Sequence, residues 1–246
     1  MTLPFRLYCP SYNRPGGVRT HALFGHHLTL CVQDFEADAY REAYPGTPIM
    51  ELPDAVRGNM AKVRNYIRDR ADSHWFVMLD DDINWMGYHQ QCRRVKMDLQ
   101  HVIEMLVNGF EMAEELEVPL WGINLVDAPR CYRQYSPISF LSPVLGPFSC
   151  HVGVDSALRY DERLGLNEDY DYALQVLLRY RKVLRINKYF YVCEHLDQPG
   201  GCASHRSMDK ERRQAEIMIG KWGESIVSYN LDKTPNPRLH VPIRGI

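Results

Sequence analysis

An unbroken apolar run, Trp75-Phe76-Val77-Met78-Leu79, leads directly into three consecutive acids, Asp80-Asp81-Asp82. The run predicts a buried strand that delivers clustered carboxylates at its exit. Like charges this close repel, and each loses hydration. A divalent cation is the usual compensation. Mg²⁺ and Mn²⁺ prefer oxygen ligands and often sit between carboxylates and substrate phosphates. The pattern therefore points to an enzyme that handles a phosphorylated donor. The simpler reading is a strand followed by an acidic turn.

The flanking pattern places this strand in an alternating order. Residues 5–9 read as a first strand, broken by the loop Pro10-Ser11-Tyr12-Asn13-Arg14-Pro15-Gly16-Gly17. Residues 28–32 form a second strand ending at Gln33-Asp34, and 49–52 a short apolar segment. A helix is expected over 56–71, with Met60, Val63, Ile67 and Ala71 on one side and Lys62, Arg68 and Arg70 facing water. A β-α-β order with polar loops at strand exits belongs to open α/β sheets, which collect ligands at those exits.

Downstream, residues 98–116 carry a continuous apolar stripe and predict a helix. Strands are expected over 119–125 and 185–192. Residues 137–141 and 148–154 could pair as a hairpin. A helix begins near Glu168, capped by Asn167, with Tyr170, Ala173, Leu174, Leu177 and Leu178 facing inward. A last helix covers 210–222, and the Pro-rich tail is expected to be irregular.

At 246 residues the chain suits one α/β domain. Its net charge of −2 creates no global field for nucleic acid. The basic stretches 93–96, 179–185 and 206–213 read first as solvated helix faces. Seven cysteines without close paired spacing fit a reducing compartment, with Cys9, Cys31 and Cys193 as core residues. Arg6, Ser11 and Arg14 interrupt any signal-peptide core, and no stretch is long enough to span a bilayer. A cytoplasmic location is expected.

Four groups could carry chemistry. Strand alternation lets Asp80 and Asp82 share a side while Asp81 turns elsewhere, so one metal could orient a diphosphate. Arg64, beside Asn59 and Asn65, could pair with phosphate, or form an ordinary surface ion pair. In Asn167-Glu168-Asp169-Tyr170-Asp171 the acids could simply complement the helix dipole. Alternatively Asp169 is a general base toward an acceptor hydroxyl, with Glu168 as competitor. His195 is a reasonable third metal ligand, and His205 and Arg206 could hold phosphate across a glycine-containing loop.

Taken in order, these segments resemble the nucleotide-sugar glycosyltransferases of the GT-A fold, especially the large inverting family. The carriers are Cys9-Pro10-Ser11-Tyr12-Asn13-Arg14, Gly58-Asn59-Met60-Ala61-Lys62-Val63-Arg64-Asn65, the strand 76–82 with its Asp-x-Asp, and Tyr160-Asp161-Glu162 followed by Glu168-Asp169-Tyr170-Asp171. The resemblance spans about residues 5–195. It implies a single domain over 1–246 with a Rossmann-like mixed central sheet flanked by helices. The donor nucleotide and metal half would cover about 1–125, the acceptor half about 126–225, and an irregular tail 226–246. It further implies a nucleoside diphosphate sugar as partner and Mn²⁺ or Mg²⁺ as cofactor. Pro10, Ser11, Arg14, Asp34, Arg64, Asn65, Asp80, Asp81, His205 and Arg206 would bind the donor. Asp80, Asp82 and His195 would hold the metal, and Asp169 would be the base of an inverting transfer. Where the family commonly has an acidic turn after the second strand, this chain has Val32-Gln33-Asp34-Phe35-Glu36, which leaves the nucleobase open. A narrower similarity is to phage-type transferases that add sugars to hydroxymethylated pyrimidines in DNA, with 93–96 and 179–185 as backbone contacts. Polysaccharide, lipid and small-molecule acceptors, or a non-catalytic nucleotide-binding module, remain the alternatives.

Overall fold

Leu7, Cys9, Val77 and Leu79 enter one apolar cluster, while Tyr8, Phe76 and Met78 enter a second. This alternation is what a strand buried on both faces produces. The computed structural model describes residues 3–193 and 207–241. In chain order the elements are β1 (Arg6–Pro10), α1 (His21–Phe24), β2 (Leu28–Gln33), α2 (Ala37–Ala43), β3 (Ile49–Leu52), α3 (Met60–Arg68) and β4 (Trp75–Leu79). They continue with β5 (Ile83–Gln90), β6 (Arg93–Lys96), α4 (Leu99–Glu115), β7 (Leu120–Asn124), β8 (Ile138–Ser139) and β9 (Phe148–Val152). The last are α5 (Glu168–Tyr180), β10 (Leu184–Cys193), α6 (Met208–Trp222), β11 (Val227–Asn230) and β12 (Thr234–Leu239).

The main sheet runs β3-β2-β1-β4-β9-β7-β10-β5-β6, with β8 pairing β10. Strands β1 to β4 are mutually parallel. β9 lies antiparallel between β4 and β7, so the carboxyl ends of β4 and β7 open on one edge. β10 follows β7 in parallel over its first half and then pairs antiparallel with β5. Helices cover both faces. α2 and α4 pack on the first cluster, through Tyr40 and through Ile103, Leu106 and Phe110. α3 and α5 pack on the second, through Ala61 and Ile67 and through Ala173 and Val176. The approach of α4 to β7 depends on Gly109, because a Cβ there would lie 2.2 Å from the Trp121 ring. Asp98 starts that helix by accepting the His101 N–H at 2.9 Å.

Several sequence expectations change. Segments 137–141 and 148–154 do not pair with each other: β9 inserts between β4 and β7, and two-residue β8 joins β10. Residues 93–96 are an edge strand rather than a helix face, paired with β5. The helix over 56–71 is shorter. Asn59 caps it through the Lys62 N–H, and Arg68, expected to face water, is buried and donates to the carbonyls of Leu158 (2.6 Å) and Asp155 (2.9 Å). Asn167 makes no side-chain cap on α5, and Leu178 is exposed. The tail is not irregular, because β11 and β12 pair as a hairpin. Met218 of α6 and Val227 of β11 pack on Leu164 and Leu174.

Candidate active site

At the exit of β4 the acidic run is tied down by its backbone. The Asp80 N–H donates to the Pro147 carbonyl (3.1 Å), and the Arg19 and Thr20 N–H groups donate to the Asp81 carbonyl (2.9 and 3.3 Å). The Thr20 hydroxyl donates to the Asp80 carbonyl at 2.5 Å. The side chains then part. Asp81 turns into the loop after β1, accepting the Ser11 hydroxyl (2.6 Å) and Arg14 Nη1 (2.6 Å). Burial raises its carboxyl above the usual range, against the pull of Ser11 and Arg14. Tyr40 completes this knot, its hydroxyl sharing a 2.8 Å hydrogen bond with Ser11 and accepting the Arg14 N–H at 3.0 Å.

Asp80 and Asp82 keep a common neighbourhood. Asp80 faces Arg64 Nη2 at 3.4 Å, and Asp82 hydrogen-bonds the Cys193 thiol at the end of β10. Burial, followed by the charges of Asp82 and Asp80, pushes that thiol up. Burial also pushes the Asp80 carboxyl up to about 6; Arg64 opposes this, while Asp82, Asp81 and Asp169 add to it.

Arg64 is the hub. It sits buried on α3, with Nε 3.3 Å from Glu168 Oε1 and its guanidinium 5.7 Å from the Tyr160 ring centre. Burial works against its charge, but Glu168 and Asp80 hold it protonated. Burial pushes the Glu168 carboxyl up to about 8, opposed by Arg64 and reinforced by Asp169. Asp169, next in the first turn of α5, is half-buried. Its Oδ2 accepts the Gly146 N–H at 2.8 Å and its Oδ1 the Tyr170 N–H at 2.8 Å. A carboxylate has about four lone-pair sites, so two such bonds leave acceptor capacity. Gly146 allows this close approach, because a Cβ there would stand 2.6 Å from Arg64 Nη2 and 3.1 Å from Asp169 Oδ2 and would displace them.

The fold thus brings together Arg64, Asp80, Glu168 and Asp169, and separately Ser11, Arg14 and Asp81. Asn65 spends its amide on the backbone of Tyr160, donating at 2.9 Å and accepting at 3.0 Å. Pro10 is buried at the end of β1. Asp34 is exposed past the end of β2 and accepts the Phe35 N–H at 2.7 Å. His195, His205 and Arg206 lie outside the described residues. Among the described residues no three His, Cys, Asp or Glu groups form a ready metal site. Thr20, Tyr40 and Gly146 are site residues that the sequence reading missed. Only Gly146, between Leu145 and Pro147, carried a local signal of a special turn.

A family profile described as TET-Associated Glycosyltransferase matches residues 5–201. The chain belongs to this family. A curated relative, the beta-glucosyl-HMC-alpha-glucosyl-transferase of Enterobacteria phage T6, is 26% identical over 226 residues, covering 84% of this chain and 77% of the relative. Among solved structures, glucosyl-3-phosphoglycerate synthase of Mycobacterium tuberculosis, in complex with Mn²⁺, UDP-glucose and glycerol 3-phosphate, is similar with a TM-score of 0.53 and 10% identity. That likeness covers 96% of this chain and 86% of the other. TarS of S. aureus with UDP gives a TM-score of 0.51 at 13% identity, covering 89% and 72%. These two likenesses carry the fold, a GT-A arrangement with a mixed central sheet flanked by helices. This TET-associated glycosyltransferase has no helix among its described residues that is long and apolar enough to cross a membrane.

Proposed function

We propose that this glycosyltransferase moves a sugar from a nucleoside diphosphate sugar to a hydroxyl on hydroxymethylated pyrimidine DNA, with Mn²⁺ or Mg²⁺ as cofactor. The observation that carries the chemistry is Arg64 held between Asp80 and Glu168, with Asp169 beside it across Gly146. Asp80 and Asp82 offer only hard carboxylate oxygens, and the raised Asp80 carboxyl marks a place where added positive charge is favourable. That donor set fits Mg²⁺ or Mn²⁺, with His195 as the third ligand. The ion, when bound, would offset charge on the departing nucleoside diphosphate.

The chain's own groups do the rest. Ser11 and Arg14, locked by Asp81 and Tyr40, shape the nucleotide loop after β1, and Asp34 stands at the nucleobase end. Arg64 supplies a fixed positive charge toward the donor phosphates or sugar. Glu168, buried on Arg64, orients that guanidinium. His205 and Arg206 are phosphate contacts in this reading. Asp169, the more exposed of the two α5 acids nearest Arg64, takes the proton from the acceptor hydroxyl, and a single displacement with inversion follows. The anomeric configuration of the product tests that step, since an α-linked product from an α-linked donor would mean retention.

The acceptor reading is supported by the T6 relative, whose name includes HMC. That name also favours a second acceptor, the hydroxyl of a sugar already attached to the base. The test is incubation with nucleoside diphosphate sugars and Mn²⁺ on plain, hydroxymethylated and glucosylated-hydroxymethylated DNA duplexes. Sugar incorporation into modified DNA alone is the expected result. Transfer to small hydroxyl compounds with none to any DNA would overturn the acceptor.

A further inference from the structure

Positive charge is segregated in this chain. Residues 83–97 hold three Lys or Arg and no acid, 125–140 hold two and Asp127, and 181–193 hold four and no acid, while the whole chain is net −2. The fold joins the three segments. β5 pairs with β10 and β6, β8 pairs with β10, and the Asn187 N–H donates to the Pro137 carbonyl at 2.7 Å. Arg94 of β6 pairs with Asp127, and His89 of β5 stacks on Tyr132 at 5.1 Å. Arg181 and Lys182 precede β10 at its far end, and Arg179 is engaged by Asp155 at 2.6 Å. What remains exposed along the joint is Arg93, Arg94, Lys96, Arg130, Arg133 and Lys188. Beside them stands Tyr135, 86% exposed, a large ring with no packing role.

One end of this rim starts at the reaction edge. The 125–136 loop leaves the carboxyl end of β7, which opens on the same edge as the carboxyl end of β4. β9 alone separates those two strands, so the loop starts ~10 Å from the acidic run by ordinary strand spacing. A row of exposed guanidinium and ammonium groups with an exposed aromatic ring matches a phosphate backbone with bases at its side.

We infer that the β6 edge, the 125–136 loop and Lys188 form a docking rim for duplex DNA, on which Arg93, Arg130 and Lys188 contact phosphates and Tyr135 contacts a base or sugar near the acceptor. The inference rests on the DNA-acceptor reading for its choice of polyanion. The arginines position the duplex and are not catalytic. Because they lie outside the Arg64–Asp80–Asp169 cluster, their removal leaves donor affinity unchanged.

The test uses the full chain and a fluorescently labelled, unmodified DNA duplex titrated across a salt series. The wild type is expected to bind with a steep salt dependence. The combined variant Arg93→Gln, Arg130→Gln, Lys188→Gln should bind at least about tenfold more weakly, with a log–log salt slope shallower by up to about 3. Tyr135→Ala should weaken binding with the slope unchanged. Donor affinity and melting temperature serve as folding controls for each variant. A wild type that ignores duplex DNA, a combined variant that binds like wild type, or tighter binding to duplex RNA at equal salt would overturn the rim. The two readings can fail separately. DNA binding lost in the combined variant, with no sugar transferred to any DNA, upholds the rim and defeats the acceptor. Unimpaired transfer to hydroxymethylated DNA by the combined variant defeats the rim and upholds the acceptor.

Discussion

Two acidic runs approach Arg64, one from the end of β4 and one from the start of α5, and each divides its carboxylates in a similar way. In the first, Asp81 is buried and consumed by Ser11 and Arg14, while Asp80 stays half-buried at Arg64. In the second, Asp171 is wholly buried. It accepts from Lys221 Nζ (2.8 Å to Oδ1), Trp222 Nε1 (2.8 Å) and Gln175 Nε2 (2.7 Å), while Asp169 stays half-buried at Gly146. Each run therefore has one acid whose carboxylate is taken up by neighbouring side chains and one that stays half-buried beside Arg64 or Gly146. The spacing differs because a strand exit turns successive side chains to opposite sides, whereas a helix start fans them around an axis. The anchors also tie in different things. Asp81 fixes the loop after β1, and Asp171 fixes α6 against α5.

Removing an anchor should damage stability more than chemistry. Asp171→Ala removes a wholly buried carboxylate and takes an acceptor from the Trp222 indole N–H and from Lys221, which keeps Asp161 at 3.1 Å, so the loss is about 1–3 kcal/mol. Urea unfolding measures this, and an unchanged midpoint would mean that Asp171 anchors nothing. The joint between the runs should behave differently. Gly146→Ala forces a methyl against Arg64 and Asp169, a strain of about 1–3 kcal/mol by overpacking. Because those two side chains must move, transfer activity should fall at least about tenfold even where the melting temperature drops little. Activity equal to wild type would show that the contact tolerates adjustment.

A smaller effect probes the guanidinium side of the same comparison. His151 is fully buried, stacked 4.8 Å from Phe76, and burial, then Arg68 and Arg64, holds its imidazole well below the ordinary value of 6.5. The unfolded chain therefore binds a proton first as pH falls. Stability is unaffected by this group above about 6.5 and declines below it, by up to about 1.4 kcal/mol per pH unit. The difference in unfolding free energy between wild type and His151→Gln should change with pH below 6.5 and be flat above it. A pH-independent difference down to pH 5 would contradict the burial argument.

Much of the donor-side frame was readable because its signals are local. The doubly apolar strand at 75–79, the Asp98 cap and stripe of α4, and the start of α5 each announce themselves within a few residues. β5 and β6 did not. Their turn is Gln91-Cys92, with φ of 47° and 59°, a left-handed pair that usually announces itself with Asn or Gly. The tail carries Pro235 and Pro237, which argue against a central strand but are tolerated in the two-stranded hairpin they occupy. Arg68 looked solvent-facing because its partners, the carbonyls of Asp155 and Leu158, lie 87 and 90 residues away. The same distance effect hid the role of Gly146. The acids of the site were legible from their clustering, but which acid anchors and which faces a ligand emerged only from contacts between remote segments.

The central assignment is that Asp169 handles the acceptor proton at a donor site built around Asp80 and Arg64. Its most direct test measures donor affinity and sugar transfer on one preparation of Asp169→Asn. Transfer reduced by about 10²- to 10⁴-fold, with donor affinity close to wild type, is the predicted result. Transfer near the wild-type rate, or lost donor affinity with turnover preserved, would contradict it.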